Sequence, residues 1–154
     1  MTVSLARATI NDVEALADAW VRLVADQRRH GAHLRAVENR SAVRSVLEQY
    51  VHANGIVVAR GPEALRGFVM FHVERGMYQQ DVTRGVVENL FVEETHRDAG
   101  IGSRLLSTAE SELADRGADV VSLSVLAANE RGRSFYADRG YEPHRIAMER
   151  SLEE

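Results

Sequence analysis

Apolar residues recur along this chain with two periods, and the changes between them mark out its elements. Residues 3–8 alternate as a short strand. Thr9 followed by Asp12 has capping-box spacing. After it Val13, Leu16, Ala17, Trp20 and Leu23 keep a helical period as far as Gly31. Residues 31–40 are polar and irregular. Ser41 then reads as the cap of a second helix carrying Val43, Val46, Leu47, Tyr50 and Val51 on one face, closed by Asn54-Gly55. Residues 56–59 and 67–73 read as strands joined through Gly61-Pro62, and 85–92 as a third strand beyond the polar loop 77–84. Ile101, Leu105, Leu106, Ala109 and Leu113 mark a helix ending at Arg116-Gly117. An apolar strand over 120–126, a short helix over 130–139 stopped by Gly140, and a final strand over 145–150 complete the chain.

The order is βααβββαβαβ. A strand, a helix and a strand around residues 85–126 require a right-handed crossover and parallel pairing, so the expected fold is α/β with a mixed sheet flanked by helices. At 154 residues, with no repeat, linker or low-complexity segment, residues 1–154 read as a single domain with a sizeable core.

Composition removes several classes of function. No cysteine is present, so disulfides, thiolate metal sites and a cysteine nucleophile are excluded. A net charge of −4 argues against nucleic acid as the main partner. No apolar run approaches membrane-spanning length, and the first residues lack the pattern of a secretory signal, so the expected location is cytoplasmic with no membrane partner. All 19 basic residues are arginine, consistent with a GC-rich coding bias. Six histidines, among them His30 and His33, lack metalloenzyme spacing, and no metal is expected.

The chemistry concentrates between residues 87 and 106. An apolar strand ends in Leu90-Phe91-Val92, a polar turn follows, and Arg97-Asp98-Ala99-Gly100-Ile101-Gly102-Ser103 opens a helix. The first amides of a helix lack intrahelical partners and carry the positive end of its dipole. Glycines at 100 and 102 let a phosphate approach them, and Arg97 places a cation at the mouth. The turn therefore reads as a pyrophosphate cradle. A tight strand-to-helix connection with no ligand fits the bare motif as well. With no lysine in the chain a Walker A loop is excluded, and Leu105 stands where a dinucleotide fingerprint needs its third glycine.

A second block, Asn129-Glu130-Arg131-Gly132-Arg133-Ser134-Phe135-Tyr136 followed by Arg139-Gly140-Tyr141, lies downstream. The element order and these two blocks together resemble the GNAT N-acetyltransferase superfamily, most specifically over residues 88–141. The resemblance implies an enzyme that binds acetyl-CoA as co-substrate and moves its acetyl group to a primary amine of a small molecule, by direct attack in a ternary complex. It implies further that the backbone of Leu90, Phe91 and Val92 pairs with the thioester and pantetheine arm. The turn from Arg97 through Asp98, Ala99, Gly100, Ile101 and Gly102 to Ser103 would hold the pyrophosphate, and Asn129 the pantetheine amides. Tyr136 would protonate the departing thiolate. A phenol suits that task, though a core aromatic with a satisfied hydroxyl would carry the same residue.

Glu88, sharing a strand face with Leu90 and Val92 by the two-residue period, either accepts the amine's proton through water or pairs with an arginine. N-terminal peptide acetyltransferases of this family commonly carry a Glu five positions before the Asn. Here Ser124 stands there, which weighs against such substrates. A protein or peptide acetyltransferase and a non-catalytic acyl-CoA-binding sensor are the alternatives, and families of this kind are commonly homodimeric. The acceptor is not named by the sequence, although Asp81 in the 77–84 loop offers an attraction for a cationic amine.

Overall fold

In the computed structural model, which describes residues 3–97 and 99–153, five strands form one sheet in the order β1-β2-β3-β4-β5. The strands are β1 (Ser4–Arg7), β2 (Ile56–Arg60), β3 (Leu65–Val73), β4 (Arg84–Val92) and β5 (Val120–Leu123). β1 to β4 pair antiparallel, whereas β4 and β5 run parallel through the crossover of α3 (Ile101–Asp115). The mixed α/β fold expected from the periodicity is therefore present.

Helices cover both faces. On one side α1 (Val13–Arg28) and α2 (Arg40–His52) bury Leu16, Trp20, Val24 and Leu47 against Ile56, Val58, Phe68, Met70 and Phe91. On the other, Leu105, Leu106, Ala109 and Leu113 of α3 pack on Val57, Ala59, Val69, Phe71 and Val87. The alternation is visible within β2 alone, where 56 and 58 belong to one core and 57 and 59 to the other. The short helix α4 (Glu130–Ala137) joins the α3 side through Phe135 and Tyr136.

The start of α1 rests on a buried charge. Asp12 closes a 3₁₀ turn, Ile10–Asp12, and one of its oxygens accepts the Thr9 N–H at 2.7 Å, as the capping-box spacing led us to expect. Both oxygens also take the Arg60 guanidinium, at 2.9 and 2.7 Å. Burial alone would push this carboxyl up, but the Arg60 guanidinium and the Thr9 N–H outweigh it, and its pKa falls below the ordinary carboxylate value. A depressed carboxylate stabilises the fold above its unfolded pKa, near 4, and loses that contribution as pH falls through the lower folded value. Asp12→Asn should therefore cost about 1–2 kcal/mol near neutrality, discounted for the partial exposure of Arg60, with the gap from wild type closing below about pH 4. Urea midpoints of both proteins between pH 3 and 8 check this.

Several boundaries differ from the periodicity reading, among them those of α2, α4, β5 and the last expected strand. α2 begins at Arg40 behind a 3₁₀ turn, Val37–Asn39, and Asn39 rather than Ser41 stands at its cap position. α4 ends at Ala137, two residues early. β5 stops at Leu123 because its partner β4 supports it only as far as Val87. The final strand over 145–150 does not form: residues 141–153 carry no regular structure and pair with no described strand of the sheet.

Candidate active site

β4 is irregular where the site lies. Met70 of β3 pairs with Asn89 and Phe71 with Val87, so Glu88 is an extra residue, a β-bulge. The bulge changes the facing of everything beyond it. Val87, Leu90 and Val92 all pack on the α3 side, while Phe91 enters the α1–α2 core. Glu88 therefore does not share a face with Leu90 and Val92, as strict alternation led us to expect. It points to the α1–α2 side instead. The parallel ladder to β5 ends at Val87, opposite Leu123. Beyond it Leu90, Phe91 and Val92 pair with Val69, Phe68 and Gly67 of β3 along one edge, and the ladder leaves their other edge open. That edge offers main-chain groups to a bound extended chain.

The open edge leads directly to the start of α3. Gly100 is its N-cap residue, with φ +81°, in the left-handed region that side-chain-bearing residues adopt at a cost of about 1 kcal/mol or more. Among the described residues no side chain caps this end, and the amides of Ile101, Gly102 and Ser103 in the first turn have no intrahelical partner. A Cβ at Gly102 would stand 3.4 Å from the Phe135 ring, in ordinary contact. Small substitutions are therefore accommodated there, and the crowding falls on α4 rather than on the amides.

The cation beside this turn comes from a residue that motif reading overlooked. Arg139 lies over the Phe135 ring, 3.7 Å from its centroid, donates to the Phe135 carbonyl at 2.9 Å, and donates to the Ser103 hydroxyl. The i to i+4 spacing from Phe135, just past a short helix, is the signal that would have revealed it. Arg97 turns the other way. Its Nε donates to the Val92 carbonyl at 2.9 Å and its guanidinium lies 5.9 Å from the Phe91 ring, on the α1 side. There it borders a cavity of about 320 Å³ with Arg22, Glu93 and Arg29. Arg97 thus fastens the end of β4 and does not place its charge at the mouth of the turn. Asp98 lies outside the described residues, and Ala99 forms the bend before Gly100.

α4 packs against the start of α3, its Phe135 ring beside Gly102. Asn129 is its N-cap, accepting the Gly132 N–H at 2.9 Å through Oδ1. Gly132 permits this, because a Cβ there would lie 2.6 Å from the Asn129 amide nitrogen. Tyr136 packs edge-on between Phe135 and Tyr141, with ring centroids at 5.2 and 5.8 Å, and burial pushes its phenol up. Tyr141 is held in turn, its hydroxyl donating to Glu110 Oε2 at 2.7 Å.

Across the sheet the bulge presents Glu88 beside two residues that the sequence reading did not single out for chemistry. Glu88 Oε1 lies 3.5 Å from His72 Nδ1, and the Tyr50 hydroxyl is 3.1 Å from the same nitrogen. Burial and the nearby Glu88 charge both raise the Tyr50 phenol. The carboxylate is 43% exposed, open to a ligand from the α1–α2 side. Its observed neighbour is thus a histidine, where sequence reading weighed an arginine. Among the described residues no group of His, Asp and Glu is arranged to hold a metal ion, and no helix is long and apolar enough to cross a membrane.

Comparison with known proteins places the chain that carries these features in a family. Residues 17–141 match the model of the acetyltransferase (GNAT) family, and the chain belongs to it. Among solved structures, the GCN5-related N-acetyltransferase from Ralstonia eutropha superposes with a TM-score of 0.78 at 23% identity, over 99% of this chain and all of that one. A protein described as a transcriptional regulator from Bacillus halodurans gives 0.76 at 20% identity, over 98% and 100%. The aminoglycoside N-acetyltransferase AAC(6')-Iy, solved in complex with CoA, gives 0.77 at 13% identity, over 98% and 95%. At these identities the likeness is one of fold. No curated protein sequence matched significantly.

Proposed function

We propose that this protein moves an acetyl group from acetyl-CoA to a primary amine of a small molecule, by direct attack within a ternary complex. The observations that carry the reading are the edge of β4 beyond Val87, which has no described neighbouring strand although Arg97 takes the Val92 carbonyl, and the first turn of α3, whose amides have no intrahelical partner. Together they suit a ligand that is an amide-bearing chain at one end and an anion at the other. Acetyl-CoA, when bound, supplies the activated acetyl group and a thiol leaving group. Leu90, Phe91 and Val92 would hold the arm as a neighbouring strand does. Ala99, Gly100, Ile101, Gly102 and Ser103 would hold the pyrophosphate, with Arg139 as the adjacent cation and Asn129 steadying the arm from α4.

Tyr136 keeps its proton across the ordinary pH range and gives it to the sulfur as the C–S bond breaks. On the opposite face Glu88 attracts the acceptor as its ammonium form and takes the proton that the nitrogen must lose before it can attack, with water as relay. The new C–N bond replaces the C–S bond: the ammonium's first proton leaves through Glu88 to solvent, and the second, lost from nitrogen as the tetrahedral adduct collapses, balances the proton that Tyr136 gives to the thiolate and regains from solvent. His72 stands beside Glu88 at its bulge, with the Tyr50 hydroxyl on the same imidazole nitrogen. An exposed carboxylate at the acceptor face favours a cationic small amine, a reading in keeping with the likeness in fold to an aminoglycoside N-acetyltransferase.

Release of CoA thiol across a panel of polyamines, amino acids, aminoglycosides and peptides tests the reading. Turnover on small amines supports it, preference for peptides turns it to a protein acetyltransferase, and binding without release on any acceptor overturns catalysis. With the best acceptor, Glu88→Gln should lower kcat/KM by about tenfold or more, less than the usual range for acid–base catalysis because water reaches the site. Wild-type kcat/KM in the Gln variant would leave Glu88 as a structural neighbour of His72.

A further inference from the structure

The imidazole of His72 meets two oxygens at one nitrogen. Nδ1 lies 3.1 Å from the Tyr50 hydroxyl and 3.5 Å from Glu88 Oε1. The first distance is that of a hydrogen bond, and the second is longer than one. An ionised carboxylate only accepts, whereas a phenol both donates and accepts. The two distances therefore define the resting protons. The Tyr50 O–H donates to Nδ1, Nε2 carries the imidazole's own proton, and Glu88 faces a nitrogen that offers it none. Burial and the Glu88 charge raise the Tyr50 phenol, so it keeps the proton it donates.

Three elements hold this arrangement. β3 supplies His72, the bulge of β4 supplies Glu88, and α2 supplies Tyr50. The Tyr50 ring meets the imidazole edge-on, with centroids 5.9 Å apart and planes at 79°, which fixes the direction of Nδ1. One step along the same two strands Glu74 and Arg84 face each other at 3.7 Å. Among the described residues, Glu88 and Tyr50 are thus the titratable groups against the imidazole itself. Nε2 has no hydrogen-bond partner among those residues and is not a buried atom, so it meets water. The ring presents one nitrogen to the carboxylate and the other to solvent.

We propose that His72 relieves Glu88 of the acceptor's proton, taking it at Nδ1 and releasing one from Nε2 to water, while Tyr50 sets the tautomer that keeps Nδ1 unprotonated until then. The inference rests on the reading of Glu88 as the carboxylate that faces the acceptor. Once the ammonium has given its first proton to Glu88 through water, the carboxylic O–H becomes a donor opposite Nδ1. The proton crosses to nitrogen, the Tyr50 hydroxyl turns to accept the new N–H, and the imidazolium loses its Nε2 proton to water. Exchange with water restores the starting tautomer, so the one proton delivered to solvent is the one the acceptor gave up. An imidazole is ordinarily about two pKa units more basic than a carboxylate, so the transfer runs downhill and returns Glu88 to its ionised form. Catalytic contacts that are long without ligand commonly tighten in the ternary complex, and this one has only a few tenths of an ångström to close. His72 acts through Glu88 and is a positioning residue for it.

With the best small-amine acceptor, His72→Asn should lower kcat/KM by about tenfold, because asparagine sets an amide where Nδ1 stood but takes no proton. The KM for acetyl-CoA should stay as in wild type. Imidazole added to the solution should restore part of the rate to His72→Ala and none to Glu88→Gln, a rescue that a packing role does not produce. Combining His72→Asn with Glu88→Gln should cost no more than Glu88→Gln alone, since both lie on one proton path. Tyr50→Phe leaves His72 in place, keeps the ring contact, and should cost about threefold, the worth of one modest hydrogen bond. Circular dichroism on each variant reports its fold. Wild-type kcat/KM in a folded His72→Asn or Tyr50→Phe protein, no rescue of His72→Ala, or a double variant that loses the product of the two single losses overturns the relay and leaves Glu88 as the acceptor-side carboxylate. Wild-type kcat/KM in Glu88→Gln overturns the reading beneath it, and the relay falls with that reading.

Discussion

Tyr136→Phe is expected to lower kcat by about 10²-fold while changing acetyl-CoA affinity by less than about twofold. The two readouts separate because the ring and the hydroxyl do different work. The ring packs edge-on between Phe135 and Tyr141, and phenylalanine preserves that contact. The hydroxyl is proposed to act only as sulfur leaves, so its loss falls on the transition state rather than on binding. General acid catalysis is commonly worth 10²–10⁴-fold, and partial rescue by water sets the lower figure here. Burial raises the phenol above its ordinary pKa of about 10, so Tyr136 contributes no descending limb to the pH profile below that value. Steady-state rates with calorimetric binding of acetyl-CoA check both halves. Full kcat in the Phe variant would make Tyr136 a core aromatic. A matching loss of affinity and rate would make it a binding residue.

The helices and strands were legible because each has one buried face, and burial imposes its period on the sequence. β2 and β3 read correctly on that account, as did the buried stripes of α1 and α3. The glycine turn was legible for a different reason. Gly100 needs a positive φ, which few residues other than glycine adopt readily, so the backbone demand is written directly in the residue type.

What was not legible depends on pairing between distant residues. The bulge at Glu88 follows from the register of β4 on β3, and no local pattern announces it. A two-residue period applied through it puts the carboxylate on the wrong face. The side chain of Arg97 illustrates the same limit. Its place in the motif was clear, but the Val92 carbonyl and Phe91 ring that draw it to the α1 side are set by the turn's three-dimensional course. Arg139, remote from the motif in sequence, reaches Ser103 because α4 folds back over α3. The segment 145–150 marks the opposite failure. Its alternation is real, and the expected strand is missing because pairing requires an edge that its own chain does not bring to it.

Ser103→Asp should weaken acetyl-CoA binding by about 10²-fold and leave the fold as stable as wild type or slightly more so. The residue is the third of α3, in a first turn that lacks any acidic side chain and, among the described residues, any side-chain cap. A carboxylate there interacts favourably with the helix dipole, by about 0.3–1 kcal/mol, and can take the Arg139 guanidinium that now meets the Ser103 hydroxyl. The same charge stands where the cradle is proposed to receive a pyrophosphate. At roughly 5 Å and an effective dielectric near 20, each pair of like charges costs about 3 kcal/mol, close to two orders of magnitude in affinity. Engaging Arg139 removes the nearby cation as well. Stability and binding thus move in opposite directions, which damage to the fold cannot imitate. Thermal unfolding without ligand and calorimetry with acetyl-CoA measure the two, and salt should narrow the affinity gap by screening. Unchanged affinity in a folded Ser103→Asp protein would remove the anion site from the start of α3 and, with it, the proposed course of the co-substrate along β4.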